Sequence, residues 1–388
     1  MDVFTDPLLA KIDEVLAMRL AMLGGEDDEE ALRLEGSLID FVEAAWPSID
    51  GAEYQRNWAV DGLAEHLQAV ADGQIKRLLI NFPPRSSKTT VTSICFPAWL
   101  WAQRHRTFLK GPQVKVLTAS YGYNLSMMIS NSSRQLILSP WYQRLWGQRF
   151  SLRADQASKA NFANSAGGAR IATSVGGSLL GIGGDIVILD DPHDTAGIES
   201  AADREAVLRF WSEVSSTRLN HPKESAIVVV MQRLHEDDVS GKILSDSAEG
   251  EFVHYCIPME YDPQRHCSTV LGWNDPRGCD DDGEPLLIDG QTCDDEAAAI
   301  LEGREGALMW PERFGPTEIA ALKSSLGPYM ASGRLQQSPQ PKGGELFRRE
   351  WWQLWDKNAN GNQYPATSYR VASLDGALPP MRPMIQAR

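Results

Sequence analysis

Five short, largely apolar runs spaced along the middle of the chain constrain its fold more than any other feature. They are Arg77–Phe82, Val114–Ala119, Ala169–Thr173, Asp185–Leu189 and Ala226–Met231. Runs this short and this apolar suit strands buried on both faces. Between them lie stretches of helical periodicity: Trp58–Ala71, with Leu63, Leu67 and Val70 in register, then Thr89–Ala102, Leu125–Leu138 and Ala201–Val214. Strands alternating with helices predict an α/β fold, a mostly parallel sheet covered by helices on both sides. The longest apolar run, Ala226–Met231, falls far short of the ~20 residues needed to cross a bilayer, so no membrane association is expected.

The loop after the first run carries chemistry. Asn81-Phe82-Pro83-Pro84-Arg85-Ser86-Ser87-Lys88-Thr89-Thr90 reads as strand, compact loop, then Lys-Thr opening a helix. That arrangement cradles phosphates: backbone N–H groups and the helix N-terminus face the anion and the lysine reaches its outer oxygens. A Thr89 hydroxyl in this position completes the coordination of Mg²⁺. Measured against G-x-x-x-x-G-K-[ST], both glycines are replaced, by Phe82 and Ser87.

About a hundred residues on, Gly183–Pro192 is an apolar strand ending in two carboxylates, Asp190 and Asp191. In an ATPase built on such a loop, the first holds Mg²⁺ and the second orients and deprotonates the attacking water. Gln232 follows the run Ile227–Met231, at the end of a strand where ligands sit in open α/β sheets. It is placed to sense the γ-phosphate or the water and to pass hydrolysis to a moving part; Arg233 and His235 either assist or lie at the surface.

Charge is segregated. The chain is net negative, with 37 basic and 52 acidic residues, yet Lys76–Arg170 holds fourteen Lys or Arg and a single acid, Asp155. Such segregation suggests a surface facing a polyanion, unless the basic residues merely solvate unrelated faces. The five cysteines form no C-x-x-C pair, which fits a reducing compartment, and Cys267, Cys279 and Cys293 match no zinc spacing. Near the N-terminus, helical periodicity runs through Ile12, Val15, Met18 and Met22; Gly24-Gly25 and the acidic run Glu26–Glu30 are expected to interrupt it before a second helix over Ala31–Ala45.

The chain resembles the large terminase subunit, the genome-packaging motor of tailed bacteriophages. The resemblance rests on Pro83–Thr89, Ser120–Leu125, Ser139–Tyr142, Val175–Gly181 running into Ile188–Pro192, and above all Met231-Gln232-Arg233-Leu234-His235-Glu236-Asp237-Asp238. Trp310–Phe314, Leu326–Tyr329 and Gln336–Pro339 extend it, so it covers about residues 55–375. It implies a P-loop ATPase that hydrolyses ATP with Mg²⁺ to drive double-stranded DNA into a procapsid, in the host cytoplasm. The implied partners are the portal protein, the terminase small subunit and further copies of the chain in a ring. Residues Pro84, Arg85, Ser86, Ser87, Lys88, Thr89 and Thr90 would form the phosphate loop, with Arg85 sensing the nucleotide. Asp190 would serve the metal, Asp191 the chemistry and Gln232 the coupling. The arginine such rings supply from a neighbour has Arg134 and Arg170 as candidates, and Tyr54, Gln55 and Trp58 lie where adenine is commonly held.

The implied organisation is an N-terminal helical segment (1–50), the ATPase domain (51–257), a linker or insertion (258–365) and the start of a nuclease domain (366–388). The family's RNase-H-like nuclease gathers carboxylates around two metal ions. Val371–Leu374 looks like its first strand and Asp375 its first ligand, but none of the 13 residues after Asp375 is acidic, so the nuclease site is expected to be incomplete here. Two other readings remain: a helicase-like ATPase, which needs a second lobe that the region after Ile257 does not suggest, and a non-catalytic remnant that binds DNA or sibling subunits.

Overall fold

A computed structural model describes residues 26–158, 160–177, 181–248, 250–288 and 291–340. The expected helix around Ile12, the aromatic segment 347–355, the strand ending at Leu374, Asp375 and the segment 366–388 lie outside the described residues. So do Ser178, Leu179 and Leu180.

In chain order the helices of the first half are α1 (Glu26–Gly36), α2 (Leu38–Ala45), α3 (Trp58–Ala71), α4 (Phe96–Ala102), α5 (Tyr123–Leu138) and α6 (Pro140–Trp146). The strands are β1 (Arg77–Asn81), β2 (Lys115–Ser120), β3 (Leu152–Ala157), β4 (Asn161–Asn164), β5 (Ala169–Ser174), β6 (Ile186–Asp190), β7 (Ala226–Met231) and β8 (Val253–Cys256). Helices α7 (Ala201–Thr217) and α8 (Val239–Asp246) flank β7 in sequence. The eight strands form one sheet in the order β3-β4-β5-β2-β6-β7-β1-β8. Every pairing from β5 to β8 is parallel, and the β3–β4 and β4–β5 pairings are antiparallel. This is the α/β architecture expected from the five apolar runs, each of which is a strand.

The apolar runs are apolar throughout because the sheet is sandwiched. Successive side chains of a strand point to opposite faces. Leu78, Ile80, Ile186, Ile188, Val228 and Val230 join the core beneath α1–α6. Their neighbours Leu79, Val187, Leu189, Ile227 and Val229 join a second core with Phe210, Trp211 and Val214 of α7 and Ile243 of α8. Each such buried side chain contributes roughly 1.5–3 kcal/mol relative to exposure.

The second helix does not run unbroken over Ala31–Ala45. The acidic run Glu26–Glu30 is itself helical and opens α1, where carboxylates suit the positive end of the helix dipole. The break falls instead at Ser37, whose extended backbone and hydroxyl, accepting from the Asp40 N–H at 3.2 Å, cap α2.

Residues 258–340 are irregular but tied to the sheet. The Ile257 N–H donates to Asn81 O, and Met259 bonds the backbone of both Leu335 and Met309. A two-stranded hairpin of β9 (Leu287–Ile288) and β10 (Gln291–Thr292) and helix α9 (Asp295–Arg304) accompany a small core of Tyr261, Leu286, Ala297 and Leu301. Helix α10 (Pro316–Arg334) is kinked at Gly327, where φ is 72° ahead of Pro328. Among the described residues no helix is long and apolar enough to cross a membrane.

Candidate active site

The C-terminal ends of β1, β6 and β7 meet on one rim of the sheet. Although β7 lies between β1 and β6, the register sets Asp190 opposite Val230 and Val230 opposite Ile80, so all three strands end at one level. The loop after β1 then carries Lys88 back across this rim.

That loop turns at two residues rather than at glycines. Arg85 and Ser87 both adopt the left-handed conformation, at φ 59° and 63°. Ser87, in the place of the motif's second glycine, keeps the backbone shape the glycine would supply, at a cost on the order of 1 kcal/mol. Phe82, in the place of the first, has no such demand on it; it is fully buried with its ring stacked on Tyr255. The Ser86 hydroxyl donates to Pro83 O, closing the loop from inside. Lys88 and Thr89 open the helix, which continues through a wide π turn at Thr90–Cys95 into α4.

Four side chains converge. Lys88, almost fully buried, places its Nζ 3.1 Å from Asp191 Oδ2. The Thr89 hydroxyl donates to Asp190 Oδ1 at 3.0 Å. The other Asp190 oxygen, Oδ2, is buried without a well-formed hydrogen bond among the described residues, with the Ser93 hydroxyl as its polar neighbour. Burial, and secondarily the charge of Asp191, pushes the Asp190 carboxyl up to about 6. A buried, unsatisfied carboxylate oxygen beside a threonine hydroxyl costs free energy unless a ligand completes it. This oxygen-only donor pair fits a hard divalent cation such as Mg²⁺. Asp191 turns out of β6 at φ 43° and accepts from the Gln232 N–H at 3.2 Å.

Gln232 connects this rim to the C-terminal half. Its carboxamide oxygen accepts from Arg334 Nε of α10 at 3.1 Å, and the next backbone N–H, of Arg233, donates to the Gln337 side chain at 3.0 Å. Arg334 had no signal in sequence, since it lies 102 residues from its partner.

Several expected residues fall elsewhere. Arg233 faces Asp238, bonding both its carboxylate oxygens at 3.0 Å, while Asp238 also caps α8. His235 accepts from the Asp237 N–H. Arg170 is fully buried, bound to Thr118 Oγ1 and, at 2.6 Å, to Ser93 O. Burial draws its guanidinium down to about 9 against the pull of Asp190. A side chain held that way cannot reach a neighbouring subunit. Trp58 lies under the Arg277 guanidinium and beside Trp273, and Tyr54 packs on Trp46. The cavity that opens on the loop, of about 250 Å³, is lined by Trp46, against which Tyr54 packs, together with Asp50, residues 85–90 and Arg313.

Four residues of the basic stretch are answered by acids from within. Arg144 pairs with Asp27 and Glu30 of α1, and Arg104 with Asp28 and Glu35 of the same helix. Arg149 bonds Glu35 at 2.6 Å, and Lys110 pairs with Asp72 at the end of α3.

No family model matches the sequence, and no curated protein matches it. Among solved structures, the large terminase of bacteriophage HK97 is similar at 13% identity and a TM-score of 0.40, over 71% of this chain and 55% of that one. The chain therefore spans about half the length of that terminase. The fold itself, an eight-stranded mostly parallel sheet between helices with a lysine-bearing loop at a helix start, is consistent with a P-loop NTPase. At this level of similarity, the geometry around Lys88, Thr89, Asp190 and Asp191 carries the functional reading.

Proposed function

We propose that this chain is the ATP-hydrolysing part of a bacteriophage large terminase, a motor subunit that moves double-stranded DNA into a procapsid. The observation that carries the ATPase reading is the meeting of Lys88 with Asp191, and of Thr89 with Asp190, at the start of one helix and the end of one strand.

In this reading the backbone of residues 84–90 and the Lys88 ammonium bind the phosphates of ATP, with Arg85 reaching in from the exposed side of the loop. Thr89 and Asp190 hold Mg²⁺, which when bound supplies charge neutralisation for the departing phosphate oxygens. Asp191 takes the proton of the attacking water. Its ion pair with Lys88 holds it in place without nucleotide, and the triphosphate competes with Asp191 for the lysine. Gln232, bonded to Asp191 through its N–H and to Arg334 through its side chain, relays the state of the site toward α10.

Association with portal protein, a small subunit and sibling chains in a ring belongs to the same proposal, as does backbone-tracking DNA contact without base readout. Because Arg104, Arg144, Arg149 and Lys110 are spent on α1 and Asp72, the expected DNA affinity is weak, and it falls steeply with salt. The test is phosphate release by the 388-residue chain with and without double-stranded DNA, beside Lys88→Ala. Turnover by the native chain and none by the variant is expected; equal background in both would favour a non-catalytic remnant.

A further inference from the structure

The cavity over the phosphate loop has a wall that the loop does not build. Opposite residues 85–90 stand Trp46, Asp50 and Arg313. Arg313 comes from the segment after the sheet, more than two hundred residues downstream of the loop, and its position is anchored. Met309 and Trp310 beneath it are buried, and Met309 N donates to Met259 O at 2.8 Å. The Met309 carbonyl accepts from Asn57 Nδ2 at 3.0 Å, and Asn57 is itself the buried cap of α3. Arg313 and Phe314 both donate backbone bonds to Trp310 O, closing a turn. The guanidinium then lies 5.1 Å from the Trp310 ring and 5.7 Å from that of Phe314.

What Arg313 lacks is a carboxylate. Among the described residues it forms no ion pair, whereas Arg144, Arg104, Arg149, Arg233 and Arg277 all do. A guanidinium braced on aromatic faces, without a counter-ion and facing the same cavity as the loop's backbone and Lys88, is arranged to receive an anion.

We propose that Arg313 is a nucleotide-binding residue, a second cation that closes on the phosphates of a nucleoside triphosphate from the side opposite the loop. The inference rests on the ATPase reading and deepens it. The segment 258–340 becomes part of the nucleotide site, and the phosphates are clamped between a helix start and a turn anchored to a different part of the chain.

The experiment is equilibrium binding, by calorimetry, of ATP with Mg²⁺ and separately of adenosine to the full chain and to Arg313→Gln and Arg313→Lys. Arg313→Gln is expected to weaken ATP about tenfold, as for loss of one charge-assisted contact, while adenosine binds unchanged. Arg313→Lys is expected to recover part of the loss, and the melting temperature of each variant checks the fold. Native-like ATP affinity in a folded Arg313→Gln chain would overturn the inference. Equal weakening of ATP and adenosine would also overturn it, since the contact would then be to the nucleoside. Failure of the native chain to bind ATP at all would instead sink the ATPase reading beneath it. If Arg313→Gln does not fold, the lysine variant decides alone: its ATP-to-adenosine preference must fall below the native value.

Discussion

Two charged regions of this molecule are built on opposite terms. Where α1 meets residues 104–149, Glu35 accepts from Arg149, from the Arg104 N–H at 3.1 Å and from Trp146 Nε1 at 3.3 Å. Arg144 is held by two further acids. At the rim of β1, β6 and β7, by contrast, a buried Asp190 oxygen has no well-formed hydrogen bond, three non-glycine residues sit at positive φ, and Arg313 has no counter-ion among the described residues. Satisfied charges hold a fold together; an unsatisfied carboxylate oxygen kept buried beside a strained loop is suited to a ligand. The basic stretch and the site look alike as charge in the sequence, but the acids of α1 answer Arg104, Arg144 and Arg149, whereas the site keeps a buried carboxylate oxygen open.

The largest effect expected from this contrast is at Asp191. Replacing it with Asn keeps the size and removes the base, and phosphate release should fall about 10²–10⁴-fold. Next comes Glu35→Ala, with the opposite signature. It strands Arg149 and the Trp146 N–H, and should cost about 3 kcal/mol of stability, read from urea unfolding, with ATP affinity unchanged in the folded fraction. A loss of nucleotide binding there would blur the distinction between the two regions.

The third prediction concerns pH. The Asp190 carboxyl is pushed up to about 6, above the ordinary 3.8, so the folded chain holds its proton more tightly than the unfolded chain does. Its contribution therefore lowers stability as pH rises from about 4 toward 6, and Asp190→Asn should flatten that slope. A cation needs the deprotonated carboxylate, so Mg²⁺-dependent nucleotide binding should weaken up to about tenfold per unit as pH falls below 6. The smallest effect is expected at Arg334→Ala, which leaves the Gln232 carboxamide without its donor. Loss of one hydrogen bond of about 1 kcal/mol should lower kcat about fivefold and leave KM alone.

Much of this was legible in the chain itself. The five apolar runs became strands because burial on both faces demands uninterrupted apolar residues, and Lys88, Thr89, Asp190 and Asp191 met because strand ends in a parallel sheet share a rim. The missed strands have the opposite character. Leu152–Ala157 is a polar edge strand, Asn161–Asn164 beside it has only four residues with Asn at both ends, and Val253–Cys256 is also only four residues long. The phosphate loop departs from its motif because Ser87 bears the left-handed turn that glycine would otherwise take. Trp46, Asp50 and Arg334 could not be read at all, and Arg313 was visible only within the Trp310–Phe314 segment of the resemblance, not as part of the site. Nothing in local spacing announces a contact between segments separated by more than a hundred residues or a helix fold-back. The charge segregation was visible, but its resolution by α1 was not, because pairing depends on where helices pack.

The most direct test of the reserved site is paramagnetic resonance of Mn²⁺, standing in for Mg²⁺, titrated with the full chain in the presence of ATP. The account predicts a single tightly bound ion at neutral pH, lost in Asp190→Asn and in Thr89→Val but kept in Glu35→Gln. Ion binding that is absent from the native chain, or indifferent to Asp190, would contradict it.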